Sequence, residues 1–267
     1  MVQTLTTTGL DGIGIRATDR GSGPAVLVVH GGLDDGASWQ QVAEALTPSP
    51  ATRRRVITLH RRQYRLDLPG SGWSITEEAA DVVALAAVAA APVLLVGHSS
   101  GAVVALEALV AAPDAFAGAV LYEPPLHTRH AEWAAQIARA RRARTTAGAM
   151  TIFLRDIVRL PAWQAVPAAA AIAAVPRMRE LAPRQIDDAD AINRLGVRLD
   201  AYSRITAPVL LLGGERSPRH LLDRMSELAE HLPASATVVL DGQGHGAHVG
   251  APQRVAAVIE SHASVVL

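Results

Sequence analysis

Short apolar runs alternate along the chain with stretches whose apolar residues recur every three or four positions. "AVLVVH" (Ala25 to His30), "RVITLH" (Arg55 to His60), "VLLVG" (Val93 to Gly97) and "AGAVLYE" (Ala117 to Glu123) read as buried strands. "IGIRATDRGSG" ahead of them reads as a strand and turn. "ASWQQVAEAL" (Ala37 to Leu46) has helical spacing, and a further helix runs from about Ser100 to Ala112. Ser74-Ile75-Thr76-Glu77 fits a capping box that opens a helix reaching about Ala90. From Pro124 to about Thr206 no convincing strand is present. Arg- and Ala-rich helical stretches take over, punctuated by Pro161, Pro167, Pro176 and Pro183. After Pro208 the alternation returns with "VLLLGG", "RHLLDRMSELAEHL", "ATVVLDG" and "PQRVAAVIESH". The pattern predicts an α/β core with a parallel sheet, in two parts, 1–123 and 207–267, separated by a helical insertion at 124–206.

Composition narrows the function. The length, 267 residues, fits one large α/β domain or a core with an insertion, and 49% hydrophobic content supports a sizeable core. Basic and acidic residues balance at 25 each, every basic one being arginine, so no general attraction to nucleic acid or anionic membranes is expected. The absence of cysteine excludes disulfides, thiolate metal sites and a cysteine nucleophile. The N-terminal stretch lacks the basic and apolar regions of a secretory signal, and no unbroken run reaches the ~20 residues of a membrane span. The expectation is a cytoplasmic monomer or homodimer acting on a small molecule, with no cofactor and no metal.

The chemistry centres on Gly97-His98-Ser99-Ser100-Gly101. A G-x-S-x-G stretch that ends a strand and opens a helix sets its serine on a sharp, strained turn, with the hydroxyl projecting above the sheet edge. Glycines two residues to either side remove Cβ atoms that would clash there. The helix that follows points free N–H groups at developing negative charge. Ser99 is therefore the candidate nucleophile, and the Ser100 N–H one oxyanion donor.

With His30-Gly31-Gly32 ending an earlier strand, this motif set resembles the α/β-hydrolase superfamily over nearly the whole chain. The resemblance is to its serine-nucleophile, esterase-like branch with the acid after strand 6. It implies a mostly parallel eight-stranded sheet flanked by helices, with the insertion as a cap. It also implies the Gly32 N–H as second oxyanion donor and His245, in "VVLDGQGHGAHVGAP", as the base, with His248 as a rival. His30 would brace the oxyanion loop, and His98 would point into packing.

The acid is the open assignment. The superfamily's commonest pattern after "PVLLLGG" would place it at Ser217, which is not a carboxylate. Glu123 ends the strand "AGAVLYE", where a subset of the superfamily carries its acid, and its position favours it. Glu215 and Asp241 are the alternatives, and a salt bridge from Glu123 to an arginine of the insertion is the competing use of that residue.

Trp133, Phe153 and Trp163, with Tyr202, are candidates to line a substrate pocket. The run "ARARRART" (Ala138 to Thr145) reads as a solvated helix face, and Arg61-Arg62-Gln63-Tyr64 as pocket mouth or surface loop. The implied activity is hydrolysis of a carboxylic ester, lactone or thioester through an acyl-enzyme. The alternative is non-hydrolytic work on the same fold: acyl transfer, cyclisation, elimination or cofactor-free oxygenation.

Overall fold

The apolar runs become the centre of a single eight-stranded sheet in the computed structural model, which describes residues 2–47, 54–70, 72–90 and 92–267. The strands are β1 (Val2–Thr8), β2 (Gly14–Gly21), β3 (Ala25–Val29), β4 (Arg55–Leu59), β5 (Val93–His98), β6 (Phe116–Tyr122), β7 (Val209–Gly214) and β8 (Ser235–Leu240). They lie in the order β1-β2-β4-β3-β5-β6-β7-β8. β1 and β2 run antiparallel, and every pairing from β3/β4 onward is parallel.

The helices of the core are α1 (Gln40–Leu46), α2 (Ile75–Val88) and α3 (Ser100–Ala111). Between β6 and β7 come α4 (Ala134–Arg141), α5 (Thr146–Ile152), α6 (Ala162–Ala174), α7 (Pro176–Leu195) and α8 (Leu199–Tyr202). α9 (Arg219–His231), α10 (Ala247–Gly250) and α11 (Pro252–Val266) complete the chain. Ser74 and Glu77 form the reciprocal capping box expected at the start of α2.

Strand periodicity divides the core into two faces. Ala25, Leu27 and Val29 of β3 point into one hydrophobic cluster with α2, α3 and the insertion. Val26 and Val28 point into the other with α1 and α11. Covered on both sides, β3 and β5 are buried at every residue, which is why they read as unbroken apolar runs.

The sequence pattern missed β1. It is an edge strand whose residues are mostly exposed, so no apolar alternation announces it. Two of the four prolines do not break helices. Pro167 and Pro183 lie inside α6 and α7, where each removes one backbone donor from an otherwise continuous helix. "TIFLRDIVRL" becomes the end of α5 followed by a π-helical turn at Phe153–Ile157.

The segment between β6 and β7 contains only helices and one isolated bridge, His127 to Val197, which draws its two ends together. Among the described residues no helix is long and apolar enough to cross a membrane. The C-terminal ends of β3, β5, β6 and β7 open at one edge of the sheet, where a parallel α/β fold gathers its ligands.

Candidate active site

Ser99 follows β5 directly and caps α3 with φ 53° and ψ −127°. Five non-glycine residues among those described have positive φ, and three of them, Leu33, Ser99 and Glu123, meet at this corner. Backbone strain of about 1–3 kcal/mol per residue persists only where surrounding structure enforces it. The Ser99 N–H donates to the Tyr122 carbonyl at 2.8 Å, and its own carbonyl accepts from Ala102 at 2.8 Å. The flanking glycines permit close approach. A Cβ at Gly101 would run into the Val29 and His30 carbonyls, and one at Gly97 would press on the Ala102 backbone.

Glu123 is the first residue beyond β6 and is fully buried. Its N–H extends the β6/β7 ladder to Leu212 at 3.1 Å. One carboxylate oxygen accepts from the Gly214 N–H at 2.7 Å, and the other meets His245 Nδ1 at 2.5 Å. Its partner is therefore a histidine and not an arginine of the insertion. With Nδ1 engaged on the carboxylate, Nε2 is the nitrogen left to work in the cavity. Glu215 is exposed and accepts from the Gly242 N–H at 2.6 Å, away from the histidine ring. Asp241 is exposed too, and its carbonyl accepts from Arg254. Ser217 is buried, and its hydroxyl has no hydrogen-bond partner among the described residues.

The loop carrying His245 is held from below by two residues that sequence reasoning did not assign to the site. The Tyr122 hydroxyl donates to the Gly244 carbonyl and accepts from the Ala247 N–H at 3.2 Å. His98 Nε2 donates to the His245 carbonyl at 3.0 Å. Burial, then the neighbouring His245 and His248, push the His98 imidazole well below its ordinary pKa, so it serves as a neutral strut. His248, the rival candidate, is packed in the interior. It stacks on Trp39 with centroids 5.2 Å apart, and burial lowers it to about 4. Among the described residues no hydrogen bond joins His245 to Ser99; their contact is through a shared cavity.

That cavity, about 60 Å³, is lined by Ser99, His245, Trp133, Phe153, Gln185 and Arg224, among others. Trp163 corrects an expectation. It is 74% exposed on the outer side of α6 and absent from the lining, because α6 buries the stripe Ala165, Ala169 and Ile172 instead. Tyr202 is buried beside Glu107, also outside the cavity. Size does not mark the chemistry here. A groove of about 660 Å³ lies along β2 and β4, bordered by Arg16, His60 and Arg177, and contains neither Ser99 nor His245.

Gly31 and Gly32 bring the end of β3 against Ser99. A Cβ on Gly31 would sit 3.1 Å from the Ser99 Cβ. One on Gly32 would overlap the Gln185 amide that descends from α7. His30 braces this loop. Its Nδ1 donates to the Gly31 carbonyl at 2.8 Å and its Nε2 accepts from the Arg61 N–H at 3.3 Å, a pairing that requires a neutral ring. Burial lowers it to about 4, Asp34 only partly offsetting the effect.

Behind the loop lies a cluster that the sequence did not disclose. Arg61 is fully buried and bonds Glu78 of α2 at 2.5 Å, Asp188 of α7 at 2.9 Å and the Ser100 hydroxyl at 2.7 Å. Tyr64 donates to Asp188 at 2.6 Å. Burial opposes the Arg61 charge, but Asp188 and Glu78 outweigh it and hold the guanidinium more firmly protonated than a free arginine. Glu78 bears the desolvation, and burial pushes its carboxyl up although Arg61 pulls it down. Arg61 to Tyr64 are thus interior residues and not a surface loop. Ser100, expected to offer only its N–H, also has its side chain fixed. The "ARARRART" helix face is solvated, with Arg139 and Arg141 half exposed and paired to Asp156, Asp187 and Asp190. Among the described residues no group of three or more His, Cys, Asp or Glu side chains is placed to hold a metal ion.

Comparison with known proteins gives the family and the fold. Residues 26–258 match the model of the alpha/beta hydrolase family. The chain is 26% identical over 247 residues to the pimeloyl-[acyl-carrier protein] methyl ester esterase of Xanthomonas campestris pv. campestris, covering 88% of this chain and 93% of that protein. It is 28% identical over 263 residues to the 2-(acetamidomethylene)succinate hydrolase of Mesorhizobium japonicum, covering 90% and 88%. Among solved structures, an alpha/beta hydrolase from Sphaerobacter thermophilus superimposes with a TM-score of 0.76 at 25% identity, covering 96% of this chain and 99% of that one. An esterase from Exiguobacterium antarcticum has the same fold, with a TM-score of 0.75 at 20% identity and coverage of 98% and 100%.

Proposed function

The chain belongs to the alpha/beta hydrolase family, and we propose that it is a serine hydrolase cleaving a small ester-type substrate through an acyl-enzyme. The observation that carries this reading is the fully buried Glu123 carboxylate 2.5 Å from His245 Nδ1, with the His245 ring and the strained Ser99 facing one cavity. The relatives that match along most of the chain are named as hydrolases, including esterases, which supports ester cleavage. Their names describe different acids, so the acyl group is not carried over from either.

In the proposed mechanism Ser99 Oγ attacks the substrate carbonyl while His245 Nε2 takes its proton. Glu123 fixes the histidine tautomer and stabilises the imidazolium that forms. The oxyanion lies between the N–H groups of Gly32 and Ser100. His245 then returns the proton to the leaving oxygen and activates water against the acyl-enzyme. The helical segment between β6 and β7 serves as the cap, contributing Trp133, Phe153 and Gln185 to the cavity. At about 60 Å³ this cavity is well below the ~300 Å³ of an ordinary ligand pocket. A short acyl group fits it, and larger substrates require the cap to move.

A fluorophosphonate is expected to label Ser99, and Ser99→Ala to lower hydrolysis of a short nitrophenyl ester by about four to six orders of magnitude. Undiminished turnover in Ser99→Ala, or labelling at another residue, would remove Ser99 from the mechanism.

A further inference from the structure

The cavity that holds Ser99 and His245 is lined in part by an arginine. Arg224, in the second turn of α9, is 7% exposed. Its Nη2 pairs with Glu132, and its guanidinium lies over the Trp133 ring, with Cζ 5.4 Å from the centroid. Its Nη1 is buried and has no hydrogen-bond partner among the described residues. Buried donors almost always find a partner, and an unpaired one on a charged group is among the more costly exceptions.

Asp223 and Glu227 border a second cavity with Arg224, and Glu227 favours the charged form of the guanidinium, but among the described residues no carboxylate hydrogen-bonds Nη1. Glu132 divides its charge between Arg224 and Arg159, whose Nη2 bonds it at 3.2 Å. His220 shares the cavity wall, and His127 packs on Trp133 with centroids 4.4 Å apart. Burial, then Arg224, lowers both imidazoles to about 4, so they are neutral near pH 7. Burial also brings Arg224 below the ordinary arginine value, although Glu132 acts to raise it. Trp133, Phe153 and Ile157 give the same cavity apolar lining, beside the polar Gln185 and His220.

We infer that Arg224 Nη1 receives a carboxylate at the far end of the substrate's acyl chain, so that the preferred substrate is a monoester of a short dicarboxylic acid. This rests on the ester-hydrolase reading and specifies its substrate class. The acyl carbonyl stands at Ser99, a short methylene chain lies along the apolar lining, and the free carboxylate completes the Arg224 guanidinium. Charge-assisted pairing of this kind is the strong case among hydrogen bonds.

The test compares mono-nitrophenyl glutarate with nitrophenyl pentanoate, which has an acyl chain of the same length but no charge. The protein is expected to favour the charged ester in kcat/KM by about 10- to 100-fold, the range a hydrogen bond to a charged group commands. In Arg224→Gln that ratio is expected to fall to about one, chiefly through KM for the charged ester, with Arg224→Lys recovering part of it. Calorimetry on the unsubstituted protein is independent of turnover and of how the variants fold. Glutarate is expected to bind and glutaramide not to bind. A ratio of one or less in the unsubstituted protein with the neutral ester cleaved, or glutarate binding no better than glutaramide, overturns the inference. Failure to cleave either ester, with Ser99 unlabelled by fluorophosphonate, would instead overturn the hydrolase reading, and glutarate binding would still decide the anion site.

Discussion

Two fully buried carboxylates flank Ser99, and they differ in what holds them. Glu123 meets His245, whose side chain is 33% exposed, and the Gly214 N–H. Asp188 meets Arg61, which has no exposure at all, and Tyr64. Burial is the same on both sides, but the partners are not. An imidazole takes and releases a proton near neutral pH, and a guanidinium does not. In the proposed mechanism the first pair moves charge during the reaction, whereas the second fixes structure. Depth of burial therefore does not identify a reacting acid. The chemical nature and access of its partner are the better guide.

The largest expected effect breaks the first pair. Glu123→Gln keeps the shape but removes the charge that orients and stabilises His245, and kcat is expected to fall about 10⁴-fold, as when a triad aspartate becomes an amide. Glu215→Gln, on an exposed side chain outside the cavity, is expected to stay within about twofold, the range of ordinary surface changes. Equal losses in the two variants, measured with a nitrophenyl ester, would count against Glu123 as the acid.

Breaking the second pair acts on stability first. Arg61→Met leaves Glu78 and Asp188 buried without their cation, and urea unfolding is expected to show a loss of about 3–5 kcal/mol. Adding Glu78→Gln and Asp188→Asn removes the stranded charges and is expected to restore much of that loss. A single variant as stable as the unsubstituted protein would show that the cluster does not bind α7 to the core.

Acid sharpens the comparison more gently. His30 and His248 are held neutral at about 4, and His98 lies well below its ordinary value, all chiefly through burial. An unfolded chain protonates these rings near 6.5, so between about 6.5 and 4 the unfolded state binds more protons and stability falls with pH. The melting temperature is expected to hold above pH 6.5 and to decline steadily through that window while Arg61 keeps its charge. A flat profile would mean that these rings do not stay neutral in the folded state.

Much of this corner was legible because its signals are local. Gly97 to Gly101 announces Ser99 within five residues, and strain at a strand end needs no distant partner to be recognised. Glu123 was favoured by its position at the end of an apolar run. The arginine cluster was not legible, because Arg61 and Asp188 are 127 residues apart and neither stands in a motif. Arg224 was equally silent, since one arginine in an amphipathic helix is ordinary until its surroundings close over it. Trp163 misled for a related reason. The alanine-rich α6 presents nearly equivalent faces in sequence, and only packing shows which one turns inward. β1 escaped because an edge strand need not hide its side chains.

The His127 to Val197 bridge has an evolutionary consequence. It pinches the proposed roof over Ser99 into an excursion that leaves the sheet and rejoins it at nearly one point, so a foreign roof of different length could be grafted between β6 and β7 without displacing a strand. The graft would inherit an obligation, however. It would have to bring its own anion to Arg61, or arrive together with a replacement for that arginine, so the roof and residue 61 are expected to change as one heritable unit.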